Sequence, residues 1–263
     1  AIEKRRSAQQ ERSWYFHWWH IFHSDDHWQD MIICSEKGDY TLRKTVLALA
    51  TIALASNQSA LALDTAPSTK EALKQLKDGH ARYMSGISKY PRIDPARRLR
   101  TAKEGQEPIA SILACADARV PVETIFDKAF GEVFVVRVAG NVCEMAELAS
   151  IEYGVLYLHT PLVVVLGHSK CGAVNAAISG GEDLKGSLPL LMKEIRPAVD
   201  ATIKKNPDLK GIELENAAIE QNVRQSIAKI LKSEKLKKAV DEKKVMIVGA
   251  VRDLKSGKVR WLD

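Results

Sequence analysis

The sequence is poor in cysteine, in aromatic side chains and in long apolar runs. Four Cys in 263 residues cannot supply the framework of a disulfide-held extracellular scaffold, so their spacing has to be read for metal or redox chemistry. Aromatic residues make up 6% of the chain and the net charge is only +6. With no basic motif interleaved with aromatics, that excess argues for solubility and mild anion affinity, and against nucleic-acid reading. The clearest apolar run, Thr45 to Ala55, is 11 residues long, well short of the roughly 20 that a membrane-spanning helix needs. What is present is ordinary for a folded globular protein, at 46% apolar and 27% charged residues.

The amino-terminal quarter reads differently from the rest. Arg43 and Lys44 precede the apolar run, and Ala60-Leu61-Ala62 follows it as a small-x-small cleavage site, so residues 41–62 are expected to be a secretory signal. The protein is then expected to be periplasmic or secreted, with no stable membrane insertion after cleavage. Residues 1–40 are expected to be a disordered extension outside the working protein. They hold His17, His20, His23 and His27 at spacings that complete no recognised metal set. Residues 63–263 are left as a single compact domain.

From Leu63 onward, short β-branched runs alternate with longer helical stretches, which predicts an α/β fold. Ser68-Thr69-Lys70-Glu71 is a capping-box pattern opening an amphipathic helix over Leu73, Leu76, His80 and Tyr83. Strands are predicted at Ile109 to Ala114, Val133 to Val138, Leu162 to Leu166 and Val245 to Val251. Helices are predicted at Pro121 to Ala129, Glu144 to His159 and Gly172 to Ser179, with two long stretches within 184–240. Lys255 to Lys258 reads as a turn into an edge strand. The architecture expected is a central, mostly parallel four-stranded sheet with an added edge strand, flanked by helices. Arg92, Arg97, Arg98 and Arg100 read as a basic loop, and Lys229 to Lys244 as a solvated helix face.

Two groups of residues carry chemistry. Cys115-Ala-Asp117-Ala-Arg119 directly follows the first strand, and His168-Ser-Lys-Cys171-Gly172 directly follows the third. In an open parallel sheet the carboxyl ends of strands share one edge, so both loops can meet there. Two thiolates and an imidazole form a zinc set, and three protein ligands leave one tetrahedral position open for chemistry. Cys34 and Cys143 fit no ligand spacing, and His80 and His159 read as surface or internally satisfied histidines.

These motifs resemble those of the β-class carbonic anhydrases, Cys-[Ser/Ala]-Asp-Ser-Arg and Gly-His-x-x-Cys-Gly. The resemblance runs over roughly residues 70–263 and takes in Arg119 to Glu123, Phe134 to Asn141 and Ile151 to Val155. Ala118 departs from the family's serine, which puts a hydrogen bond near the site in doubt, and Val122 stands where a smaller residue or proline is usual. The resemblance implies that Cys115, His168 and Cys171 bind Zn²⁺, and that Asp117 and Arg119 form a catalytic dyad. It places Gln106, Phe134, Tyr153 and Gly172 in the substrate pocket. The implied reaction is reversible hydration of CO₂ to bicarbonate and a proton by attack of zinc-bound hydroxide. Ile112 stands where members with a closed, aspartate-ligated site tend to carry Trp, which favours the open form.

The resemblance also implies a homodimer or dimer of dimers, with the helix around Glu71 to Tyr83 wrapping a partner and the active site near the interface. From sequence that helix has no obvious place on the sheet. Two rivals stay open: hydrolysis of a CO₂ analogue such as carbonyl sulfide or carbon disulfide on the same fold, and a metal-free thiol protein with a Cys115 to Cys171 disulfide.

Overall fold

The computed structural model describes residues 66–88, 93–181 and 184–262. The extension, the signal, the His17 to His27 group, Cys34 and Arg92 lie outside the described residues. The chain opens with helices α1 (Thr69–Met84) and α2 (Pro95–Glu104), followed by β1 (Ser111–Ala114), the short α3 (Val122–Ile125) and β2 (Phe134–Arg137). A 3₁₀ turn (Ala139–Asn141) leads into α4 (Met145–Leu156), β3 (Leu162–His168) and α5 (Gly172–Ile178). Then come α6 (Leu188–Lys205), α7 (Gly211–Ile230), α8 (Glu234–Asp241), β4 (Met246–Arg252) and β5 (Val259–Leu262).

The sheet order is β2-β1-β3-β4-β5; the first four strands are parallel and β5 runs antiparallel to β4. This is the expected sheet with its edge strand. All seven residues of β3 are buried, which accounts for its unbroken apolar run: helices cover both faces. On one face Ile112, Ala114, Leu162, Val164 and Leu166 pack with α1 and α3. On the other, Leu113, Val163 and Val165 pack with α4, α7 and α8.

Several local expectations need correction. The helix expected over Pro121 to Ala129 stops at Ile125, because Asp127 adopts a left-handed φ of 48°. Arg97, Arg98 and Arg100 lie on a helix and not in a loop; Asp94 caps it by accepting from the Arg97 N–H at 2.8 Å, and Pro95 occupies its first turn. Residues 184–240 hold three helices where two stretches were expected. The break before α8 is capped by Ser233. Lys229 is no solvated charge, since it is partly buried and bonded to both Glu144 and Glu194.

Helix α1 does have a place on the sheet. Ser68 caps it through the Glu71 N–H, and Ala72 and Leu76 are fully buried in the α3 face of the core. A Cβ on Gly79 would lie 1.9 Å from the Phe126 carbonyl oxygen, so only glycine allows this approach. One residue on, His80 is wedged between elements: its Nδ1 donates to the Ile125 carbonyl at 3.1 Å and its Nε2 accepts the Val259 N–H at 3.1 Å. Nε2 can accept only in the neutral ring, so the two contacts coexist only while His80 is uncharged. Burial, aided by the Arg252 charge and opposed by the Ile125 hydrogen bond, lowers the His80 pKa below its ordinary 6.5.

The stability from this contact is complete above about pH 6.5 and declines as pH falls from there through the lower folded-state pKa, by up to about 1.4 kcal/mol per pH unit. Urea unfolding of wild type is therefore expected to show falling stability from about pH 7 to pH 5, and His80→Gln, which cannot titrate, to flatten that slope. An unchanged slope in the variant would remove His80 as its source.

Candidate metal centre

β1 and β3 are neighbours, yet the chain leaves β1 toward β2 on one side and leaves β3 toward β4 on the other. Loops that follow the two strands part at the carboxyl edge and open a crevice between them. Cys115 follows β1, His168 ends β3, and Cys171 immediately precedes α5. Their donor atoms all lie within 4.8 Å of one another, and all three residues are buried. Cys115, Cys143 and Cys171 are free thiols, so the disulfide alternative is not what this structure contains.

The imidazole is set for coordination. His168 Nδ1 donates to the Ser169 carbonyl at 2.9 Å, which fixes the tautomer and leaves the lone pair on Nε2. That Nε2 is buried and has no hydrogen-bond partner, a costly arrangement unless an electrophile takes the lone pair. Ser169 is held in turn by β4 and the turn after it: its N–H donates to the Arg252 carbonyl, its hydroxyl donates to Asp253, and that hydroxyl accepts from the Leu254 N–H.

The two sulfurs share one proton, with the negative charge favoured on Cys115 and the proton on Cys171. The Cys115 pKa is pulled down to about 4, chiefly by the hydrogen bond from Cys171 and against the opposing effect of burial. The same contact, with burial, pushes the Cys171 thiol up. Cys115 Sγ also accepts the Gly140 N–H at 3.3 Å. By contrast Cys143, buried among apolar groups, is pushed up to about 12 and remains the packed thiol expected from its spacing.

Asp117 and Arg119 form the expected dyad at the mouth of this set. Asp117 Oδ1 accepts from the Arg119 backbone N–H and Nε, both at 2.9 Å, and Oδ2 accepts from Nη2 at 2.7 Å. The guanidinium holds the carboxyl well below the usual carboxylate range, against a smaller opposing effect of burial. Asp117 Oδ2 lies 3.9 Å from His168 Nε2, so the carboxylate faces the three donors without joining them. Arg119 also reaches across the crevice to the Lys170 carbonyl at 3.3 Å. Gly172 starts α5 beside Cys171, and Ala118 is exposed on the loop.

Gln106, Phe134 and Tyr153 do not join the metal ligands within one chain. Phe134 pairs in register with Ser111, the first residue of β1, whereas Cys115 follows the last. A four-residue strand separates them, about 13 Å at the usual rise. Gln106 is exposed and also precedes β1, so it belongs to the same far edge. Phe134 and Tyr153 pack on each other with ring centroids 5.9 Å apart, and Tyr153 is 48% exposed. A cavity of about 630 Å³ opens at that far edge too, lined by Pro108, Ile109, His159 and Pro161, and contains none of the three ligands.

Other residues of the site escaped sequence reasoning. Arg137 donates from Nε to the Cys115 carbonyl at 3.1 Å and from Nη2 to the Asp117 carbonyl at 2.6 Å, clamping the loop that carries both. The signal available was a lone arginine ending a β-branched strand. Asn222 and Ser226 of α7 bond the carbonyls of Gly140 and Asn141. Their signal was a polar pair four residues apart on a helix face that is apolar apart from Glu215.

The donors fit zinc. Two sulfurs and one nitrogen, desolvated and close together with the nitrogen lone pair unshared, are the soft set that a tetrahedral Zn²⁺ takes at about 2.0–2.3 Å.

Comparison with known proteins agrees with this chemistry. The carbonic anhydrase family profile matches residues 110–259. Carbonic anhydrase 2 of Mycobacterium tuberculosis is 49% identical over 118 residues, 45% of this chain and 56% of that relative. The chain thus spans a little over half the length of that curated relative. The β-carbonic anhydrase CafA of Aspergillus fumigatus superposes with a TM-score of 0.59 at 27% identity, over 74% of this chain and 90% of that one. A tetrameric β-carbonic anhydrase of Sordaria macrospora shares the fold, with a TM-score of 0.60 at 24% identity over 72% of this chain and 95% of its own. Set beside the Cys115, His168 and Cys171 cluster and its Asp117 to Arg119 dyad, these matches establish that the chain belongs to the β-class carbonic anhydrase family.

Proposed function

We propose that the protein catalyses the zinc-dependent, reversible hydration of CO₂ to bicarbonate and a proton. One observation carries this reading: a buried His168 lone pair and two cysteine sulfurs converge beside a carboxylate that Arg119 keeps from joining them. Zinc held by Cys115, His168 and Cys171 supplies a Lewis acid that renders a water molecule nucleophilic near neutral pH. The dyad supports the open form: with both Asp117 oxygens engaged by Arg119, the carboxylate would be held off a zinc bound by the three donors.

The chain's own residues then have defined tasks. Asp117 Oδ2 accepts a hydrogen bond from the reacting water and turns its lone pair toward CO₂. Arg119 keeps that carboxylate ionised and aimed. Arg137 fixes the backbone on both sides of Ala116, so that the ligand and the orienting group move as one unit.

A nonpolar gas needs an apolar wall, and within one chain Phe134 and Tyr153 lie too far from the metal ligands to supply it. We propose that a second copy brings Phe134, Tyr153 and Gln106 to the centre. In support, β2 is an edge strand, and Tyr153 stacks on Tyr157, 72% exposed, to form an aromatic surface beside it. Such a surface suits a homodimer, whose interface cores favour aromatics.

Three outcomes test this function. Purified protein is expected to contain about one zinc per chain by elemental analysis, and Cys171→Ala to lose both zinc and CO₂ hydration; a zinc-free, active preparation would end the metal reading. Activity is expected to rise on the alkaline side as the reacting water deprotonates, and because Arg119 keeps Asp117 ionised across the assay range, that rise is not the titration of Asp117. Asp117→Asn should therefore retain zinc and the same midpoint in stopped-flow hydration, with turnover lower by about tenfold or more. Wild-type turnover would leave the dyad without a task. Tyr153→Ala is expected to weaken self-association in sedimentation and to lower turnover per zinc together; loss of one without the other would separate the pocket from the interface.

A further inference from the structure

Helix α7 carries the polar residues Asn222 and Ser226 on a buried face that also holds Glu215 and is otherwise formed by Ala218, Ile219, Val223 and Ile230. Asn222 and Ser226 are each 1% exposed. One helical turn apart, both reach the 3₁₀ turn that faces the first ligand. Asn222 Nδ2 donates to the Gly140 carbonyl at 2.7 Å, and Ser226 Oγ donates to the Asn141 carbonyl at 2.9 Å.

The turn they hold is a strained one. Gly140 has φ 69° and Asn141 φ 44°, two successive residues in the left-handed region. A non-glycine residue stays there only where its surroundings over-determine it. Helix α6 closes the turn from another side, since a Cβ on Gly140 would lie 2.7 Å from Ile195 Cδ1. What the held turn delivers is a single amide aimed at a ligand, the Gly140 N–H on Cys115 Sγ at 3.3 Å.

We propose that Asn222 is a positioning residue for the Cys115 donor: by fixing the Gly140 turn it keeps one amide N–H on the sulfur. The proposal rests on the metal-centre reading above. Two thiolates and one imidazole are an electron-rich set, and a thiolate that accepts an N–H bond passes less charge to its cation. The bond therefore keeps a cation bound there more Lewis-acidic than the ligand count alone implies. Removing the Asn222 amide leaves the Gly140 carbonyl buried without a donor and frees the turn to rotate its N–H off the sulfur.

The test compares full-length wild type, Asn222→Ala and Ser226→Ala, each loaded with zinc and, separately, with cobalt(II). Asn222→Ala is expected to bind zinc about tenfold more weakly or worse. Its sulfur-to-cobalt charge-transfer band should move to longer wavelength, and the alkaline midpoint of CO₂ hydration should move upward. Ser226→Ala should shift band and midpoint the same way by less. A merely structural role would lower the thermal stability of Asn222→Ala and leave affinity, band and midpoint at wild-type values; that result overturns the proposal. If Asn222→Ala does not fold, Ser226→Ala decides, and an unmoved band and midpoint overturn it. Wild-type protein that takes up neither metal would bring down the metal-centre reading, and this proposal with it, an outcome distinct from an unmoved variant.

Discussion

Three desolvated donors, two sulfurs and an imidazole nitrogen, share a space less than 4.8 Å across in the crevice between β1 and β3. Nothing in hydrophobic packing favours that. An apolar core gains by keeping polar atoms paired or outside, and here a ring nitrogen with its tautomer fixed is left without a partner. The rest of the structure makes sense as the means of holding that apposition. Strand order opens the crevice, β4 and its following turn hold Ser169, and Ser169 holds the ring.

The same ligand set creates an electrostatic problem that its surroundings counter from several directions. Two thiolates cancel the charge of a divalent cation, which makes a bound water less acidic than a three-histidine set would. Against this stand donors directed at the anionic side of the site: the Gly140 N–H on Cys115 Sγ, and Arg119 on Asp117. Arg137 adds two hydrogen bonds to the carbonyls of Cys115 and Asp117, so the loop carrying a ligand and the orienting carboxylate cannot shift independently.

Much of this could be read from the chain before the fold was known. Five strands and their order of appearance follow from β-branched runs, and the three ligands follow from their placement just after strands, because the carboxyl edge of a parallel sheet is where loops converge. The supporting residues were not legible, for a physical reason. Asn222 and Ser226 act from a helix more than 80 residues along the chain from the turn they hold, and no local pattern records which carbonyl a buried amide will meet. Helix α2 was missed although Asp94 and Pro95 announce it, because four cations in its ten residues and a helix without any buried residue give no apolar period to detect. Lys229 was misread by composition, since its charge is neutralised by Glu144 at the cap of α4 and by Glu194 of α6.

Phe134 and Tyr153 show a different limit, one of topology. A strand has two ends, and the chemistry of a residue does not say which end it serves in the assembled protein. Both aromatics lie at the amino edge of the sheet, while the metal ligands lie at the carboxyl edge, so no rotamer change within one chain can bring them together. The barrier is the length of β1, which is fixed by its hydrogen bonds to β2 and β3. If these aromatics line the path of CO₂, as proposed here, a second chain has to supply them. Self-association then becomes a condition of substrate binding, because dissociation would leave the metal ligands assembled while removing their apolar wall. That separation explains how one short domain can hold a desolvated donor set rigidly in its own core and still present its aromatics to solvent.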